Sequence, residues 1–320
     1  MGIAQTLSDP IVTLCGGVGA ARFLRGLVLA IEPSQITAIV NTGDDRVFYG
    51  VHVSPDLDIV TYTLAGRVNE RRGYGLEADT YEMIDALGAL GHECWFRLGD
   101  RDFANSQHRT LRLREGVGLG RVTDELRERY GVATRILPMS EDPCATIVEL
   151  EGGRRVHFEE YLARDGAPDE VTGVDLGEAS RARPGPGVLD ALRDAQAILI
   201  CPSNPIVSIG PILAMPDVRD ALKQSHAPIV AISPIVGGAP VKGPADRLMR
   251  GVGVEVSARG VAEIYRGLID ALILDERDAD LAADIEAMGI RTRVMDTIMG
   301  DVATAQRLAE AALSLAVSLR

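Results

Sequence analysis

The chain is short of aromatic residues, histidine, cysteine and positive charge, and each shortage closes off a class of function. Aromatics make up only 4% of its 320 residues, so a core must be built from Ala, Val, Ile and Leu. Five histidines with no HxxxH pair argue against a zinc centre. The four cysteines, Cys15, Cys94, Cys144 and Cys201, show no CxxC spacing and sit in or beside apolar runs. They read as free thiols in a reducing compartment rather than a disulfide framework. No apolar run approaches the length needed to span a bilayer and nothing resembles a signal peptide, so a cytoplasmic location is expected. Lys and Arg total 33 against 46 Asp and Glu, a net charge of −13, which argues against a general nucleic-acid binder. There is no GxSxG elbow and no Cys/His pair at a telling spacing, so nothing points to covalent catalysis.

What is present alternates between strand and helix. Ile11–Cys15 reads as a buried strand, the turn Gly16-Gly17-Val18-Gly19 follows, and residues 20–31 have helical apolar spacing. Residues 36–40 form the next strand. Such a βαβ opening favours a parallel sheet covered on both faces. Residues 59–131 differ. Helical stretches dominate there, with one short strand-like run, Cys94-Trp95-Phe96-Arg97. Strands at 135–138, 145–149 and 155–161 follow, the last two as a hairpin around Gly152-Gly153. From Val188 the α/β alternation returns and ends in an amphipathic helix over 302–319. The expectation is one Rossmann-like, doubly wound, mostly parallel α/β domain over 1–320, with residues 59–131 as a largely helical insertion or cap.

Four groups of residues can carry chemistry. The stretch from Cys201 to Pro211 is uncharged and follows a buried strand at 197–200. Ser203 and Asn204 lie between two prolines, which predicts a rigid turn before a helix over 206–213. Such a turn serves either as an ordinary connection or as an anion cradle. The turn holding Gly16, Gly17 and Gly19 lets backbone approach a phosphate closely, yet Arg22 occupies the third glycine position of a GxGxxG reading and no GK[ST] follows. Arg22 itself is either an anion contact or a solvated helix residue. Asp44, Asp45, Asp56 and Asp58 fall in one loop region, where Mg²⁺ would relieve their repulsion, or where Asp58 would merely cap a helix. Arg97, in the run Arg97-Leu98-Gly99-Asp100-Arg101-Asp102, is a candidate for a second ligand. Lys242, in a Gly/Pro-rich loop after a strand at 228–233, is either a phosphate contact or a surface lysine. Two or three uncharged cradles beside an acidic loop fit direct transfer of a phosphorus-centred group, where positioning and charge neutralisation do most of the catalysis.

The ordered motifs GGVGAARFLRGL, VNTGDD, SPDLD, RLGDRD, LPMSEDP, CPSNPIVSIGPIL, ISPIVGGAPVKGPA, GVAEIY and MDTIM resemble the 2-phospho-L-lactate transferase family (CofD/FbiA) of coenzyme F-420 biosynthesis, from about residue 11 to the C-terminus. The resemblance implies an Mg²⁺-dependent transferase. It would move phospholactate, phosphoenolpyruvate or phosphoglycerate from a guanosine diphosphate-linked donor to the ribityl hydroxyl of the deazaflavin FO, releasing GMP. Carried over to this chain, Asp58 and Arg97 contact FO, Asp44 or Asp45 with Asp58 holds the metal, and Asp58 orients or deprotonates the hydroxyl. Gly16, Gly17 and Gly19, with Ser203, Asn204, Ser208 and Gly210, line the nucleotide side. A homodimer is expected on the same ground. The alternative is a non-catalytic nucleotide-sugar-binding regulator on the same scaffold. In that related family the acidic pair runs into a glycine/serine-rich tract, whereas here Asp44-Asp45 is followed by Arg46-Val47-Phe48-Tyr49. An NAD-dependent dehydrogenase is disfavoured by Arg22 in the fingerprint.

Overall fold

The computed structural model describes residues 10–320. Its strands run, in chain order, β1 (Ile11–Cys15), β2 (Ile36–Val40), β3 (Arg46–Phe48), β4 (Val51–Val53), β5 (Arg135–Pro138), β6 (Ile147–Leu150), β7 (Arg155–His157), β8 (Val171–Asp175), β9 (Ala197–Ile200), β10 (Ile229–Ile232), β11 (Ile235–Val236), β12 (Ala239–Pro240), β13 (Ala271–Leu274) and β14 (Arg291–Val294). Seven of them form one parallel sheet in the order β14-β13-β10-β9-β1-β2-β5. Residues of β1, β2, β9, β10 and β13 are buried throughout, as parallel strands covered on both faces must be. Val12 and Leu14 pack into the core on one face of the sheet, Ile11 and Cys15 into the core on the other.

Chain order reverses across the sheet at β1. The chain moves from β1 to β2 on one side and returns to β9 on the other, so the carboxyl ends of β1 and β9 flank the switch point where open α/β sheets bind ligands. Helix α1 (Gly17–Ala30) leaves β1 directly. It packs against the C-terminal helix Val302–Ser318, so closely at Gly26 that a Cβ there would lie 2.2 Å from the Ala305 backbone.

After β2 come the β3–β4 hairpin and α2 (Pro55–Leu64), then α3 (Glu82–Ala89), α4 (Asp100–Arg114) and α5 (Leu119–Arg129). Residues 59–131 hold no named strand. The strand expected at Cys94–Arg97 does not form. Instead Phe96 stacks on Phe48, with ring centroids 4.0 Å apart, and Trp95 meets the same ring edge-on. Aromatic packing, not strand pairing, holds that segment. The hairpin at β6–β7 gains a third strand, β8, and becomes an antiparallel sheet beside the parallel one.

Candidate active site

A cavity of about 670 Å³ opens at the switch point, a size that suits a small-molecule site. Gly16, Gly17 and Gly19 line it from the β1 side, and Ser203, Asn204 and Ser208 from the β9 side. The two turns are locked together. The Gly16 N–H donates to Ser203 Oγ at 3.3 Å. A Cβ on Gly19 would lie 2.2 Å from the Pro202 carbonyl oxygen, so this glycine serves close packing of turn on turn. Gly17 takes φ +68°, a left-handed conformation that favours glycine. The rigid turn expected at Ser203–Asn204 is built by Asn204 itself, whose Oδ1 accepts from the N–H groups of Ile206 and Val207. Its helix begins only at Gly210, later than the spacing predicts. Gly210 is not among the cavity-lining residues. It sits against Leu176 and the Pro205 carbonyl.

Six carboxylates line the cavity: Asp44, Asp56, Asp58, Asp79, Asp102 and Glu159. Asp56 fills the place a phosphate was expected to take. Its Oδ1 accepts from the Gly17 N–H at 2.8 Å, and its Oδ2 from Asn41 Nδ2 at 2.9 Å. A carboxylate there complements the positive end of α1. Burial nonetheless raises its pKa to about 6, against the pull of Asn41 and Gly17.

Asp44 is buried, and its Oδ1 has no hydrogen-bond partner among the described residues. Burial, then Asp56, Glu159 and Asp45, push its pKa well up. Glu159 is 6% exposed and its carboxyl makes no hydrogen bond or ion pair among the described residues. Burial, then the charge of Asp56, raise it to about 8. Asp45 does not line the cavity. It accepts from Ser54 Oγ at 2.7 Å and lies 3.0 Å from His52 Nε2.

Asp58 belongs to a separate network. Both its oxygens accept from the guanidinium of Arg109, which reaches in from α4 and is 1% exposed. Burial pushes the Asp58 carboxyl up and Arg109 pulls it back. Asp102 lies next to this pair and accepts from Tyr62 Oη at 2.7 Å. Burial, followed by the charge of Asp58, raises Asp102 to about 7. Arg97 lines the cavity, pairs with Asp85 at 2.6 Å and lies over the Tyr81 ring. Trp95, Phe96 and Leu162 supply an apolar wall.

Of the residues singled out in the sequence, the glycine turn, Ser203, Asn204, Ser208, Asp44, Asp58 and Arg97 line this one cavity, while Asp45 and Gly210 do not. Sequence reasoning takes Asp56 only as one of four loop acids whose repulsion Mg²⁺ would relieve, and assigns no role to Asp102 or Glu159. Arg109 carried a signal, since it shares a helix face with the small residues Ser106 and Thr110 amid exposed charges. Glu159, just past the end of β7, carried none.

Among the described residues no group of three His, Cys, Asp or Glu side chains is poised as a metal site. The donor chemistry still suits Mg²⁺. Asp44 has an unsatisfied buried oxygen, and mutual repulsion with Asp56 and Glu159 is what a hard divalent cation relieves. One stability prediction follows from these groups alone. Asp56 and Glu159 hold protons to higher pH when folded, about 6 and about 8, than an ordinary carboxylate near ~4 does. The metal-free fold therefore loses stability as pH rises from about 4 to about 8, and the loss levels off above. Melting curves at pH 5.5 and 8.5 should show a lower Tm at the higher pH, and Glu159→Gln should flatten the upper part of that slope. Equal slopes in wild type and variant would contradict the assignment.

A doubly wound parallel sheet with an acid-lined crevice at its switch point defines a Rossmann-like protein that takes small-molecule ligands. The chain belongs to the family described as 2-phospho-L-lactate transferase CofD, whose profile matches residues 11–306, and it is a transferase of that family. It is 45% identical over 315 residues to the phosphoenolpyruvate transferase of Streptomyces coelicolor, covering 97% of this chain and 99% of that one. It is 39% identical over 301 residues to the 2-phospho-L-lactate transferase of Methanosarcina mazei, covering 94% and 98%. The crystal structure of the Bacillus halodurans protein BH3568 superposes with a TM-score of 0.64 at 20% identity, covering 95% of this chain and 99% of that one, a likeness of fold. No helix among the described residues is long and apolar enough to cross a membrane.

Proposed function

We propose that this protein transfers a phospho-carboxylate group from a guanosine diphosphate-linked donor to the ribityl hydroxyl of the deazaflavin FO. The hydroxyl oxygen forms a bond to the donor's β-phosphorus, the bond from that phosphorus to GMP breaks, and the hydroxyl proton passes to a carboxylate. One observation carries the reading: a single cavity is lined both by the switch-point turns and by the Trp95, Phe96 and Leu162 wall with Arg97. The turns suit a nucleotide, and the wall suits a planar ring system. Asp58 and Arg97 would contact FO. Asp58, fixed in place by Arg109 through both its oxygens, suits orienting the hydroxyl. Asp102, at about 7, is better tuned to accept its proton near neutral pH. Asp44, with Asp56 or Glu159, would hold Mg²⁺, which when bound neutralises charge developing on the leaving group. Ser203, Asn204, Ser208 and the glycine turn would face the nucleotide.

Among the donors, phosphoenolpyruvate is favoured over lactate, because the phosphoenolpyruvate transferases share the higher identity. A cytoplasmic homodimer completes the proposal. The test is incubation with FO, Mg²⁺ and each guanosine diphosphate-linked phospho-acid in turn, following GMP release and product mass. A mass gain on FO with the phosphoenolpyruvate donor is expected. No product with any donor, together with tight binding of a UDP-sugar, would favour the nucleotide-sugar-binding alternative.

A further inference from the structure

Two cations at the cavity have no part in the scheme above. Arg22 projects from the second turn of α1, and Lys242 from the loop between β12 and the helix Ala245–Gly251. Both line the cavity. Both lie within 4 Å of the point where a side-chain carbon on Gly73 would stand. Lys242 Nζ donates to the Arg72 carbonyl oxygen at 3.2 Å and lies 6.0 Å from the Tyr74 ring centroid. Arg22 makes no hydrogen bond or ion pair among the described residues.

This is not a shortage of carboxylates. The chain carries a net charge of −13. Arg25, one turn along the same helix, pairs with Glu70. Arg97, the third cation lining the cavity, pairs with Asp85. Burial first, and then the charge of Arg22, depress the Lys242 pKa, and no carboxylate offsets them. Two like charges held face to face repel, and an anion between them reverses the sign of that interaction. The first N–H of α1 is meanwhile taken by Asp56. Positive charge for a phosphate must come from elsewhere in the cavity.

We propose that Arg22 and Lys242 form an anion clamp that takes the phosphates of a nucleoside diphosphate donor. The identity of that donor rests on the preceding reading; the clamp rests on the paired, uncompensated cations. Arg22 supplies a planar fork suited to phosphate oxygens, and Lys242 a point charge beside it.

Calorimetric titration of wild type, Arg22→Gln and Lys242→Gln with GDP, guanosine and FO in the presence of Mg²⁺ tests it. Each substitution should weaken GDP about tenfold or more, leave guanosine and FO unchanged, and leave the melting curve in place because both side chains are exposed. Arg22→Lys should recover part of the loss. GDP affinity within about twofold of wild type in both variants would overturn the clamp. If wild type binds no GDP, the donor reading fails, and inorganic pyrophosphate becomes the probe. Binding to wild type but not to the variants supports the clamp, and no binding to wild type overturns it.

Discussion

Replacing Arg109 by Met is expected to cost the fold about 3–5 kcal/mol, because it leaves a buried carboxylate with no counter-charge. Arg109 is the largest fully buried side chain among the described residues. It reaches from α4 to both oxygens of Asp58 on α2, and its Nη1 also donates to the His52 carbonyl at 3.2 Å. It therefore pins the helical segment to the sheet-side loop. Asp102 is close enough to Asp58 that its own pKa rises. Without the guanidinium, two buried carboxyls would face each other. Urea unfolding measures the effect. A double variant, Asp58→Asn with Arg109→Met, should recover part of the loss, because removing both partners of a buried pair costs less than removing one. A midpoint for Arg109→Met equal to that of wild type would mean that the pair contributes nothing to the fold.

Asp58→Asn is expected to lower kcat about 10²-fold or more, the usual weight of a positioned acid–base group. An amide keeps one acceptor for Arg109 but loses the charge that fixes the substrate hydroxyl. GDP affinity should not change, since the clamp lies on other elements. The same assay separates orientation from proton transfer. If Asp102 accepts the proton, kcat in wild type rises through a pH of about 7, and Asp102→Asn removes that limb, while Asp58→Asn keeps it but moves it to lower pH because the Asp58 charge helps raise Asp102. Near-normal turnover in Asp58→Asn with Mg²⁺ still bound would remove Asp58 from both roles.

Much of this architecture is legible from local pattern. The apolar run Ile11–Cys15 followed by glycines and a helical repeat predicts β1, its turn and α1, and these place one wall of the site. The turn after β9 announces itself by two prolines around two polar residues. Other features are not local. The three-residue strands of the β3–β4 hairpin meet at Tyr49 and Gly50, both with positive φ. That geometry is usually marked by Asn-Gly or Asp-Gly, so residues 41–58 read as a loop. The aromatic run at 94–97 has strand composition but finds Phe48 as a stacking partner instead of a neighbouring strand. The four acids of the second loop look equivalent in sequence. Tertiary contacts alone divide them: Asp45 to His52 and Ser54, Asp56 to the end of α1, Asp58 to Arg109, and Asp44 to no protein partner through its Oδ1. Glu159 joins them from a hairpin more than a hundred residues later, which no spacing rule connects to the second loop.

The central claim is that one cavity holds the nucleotide at the switch-point turns and the deazaflavin at the aromatic wall at the same time. Titrating the Mg²⁺-containing protein with FO at saturating GDP tests it most directly. The account predicts that FO binds with undiminished affinity and unit stoichiometry while GDP stays bound. Displacement of GDP by FO would show that the two compete for one place, and would contradict it.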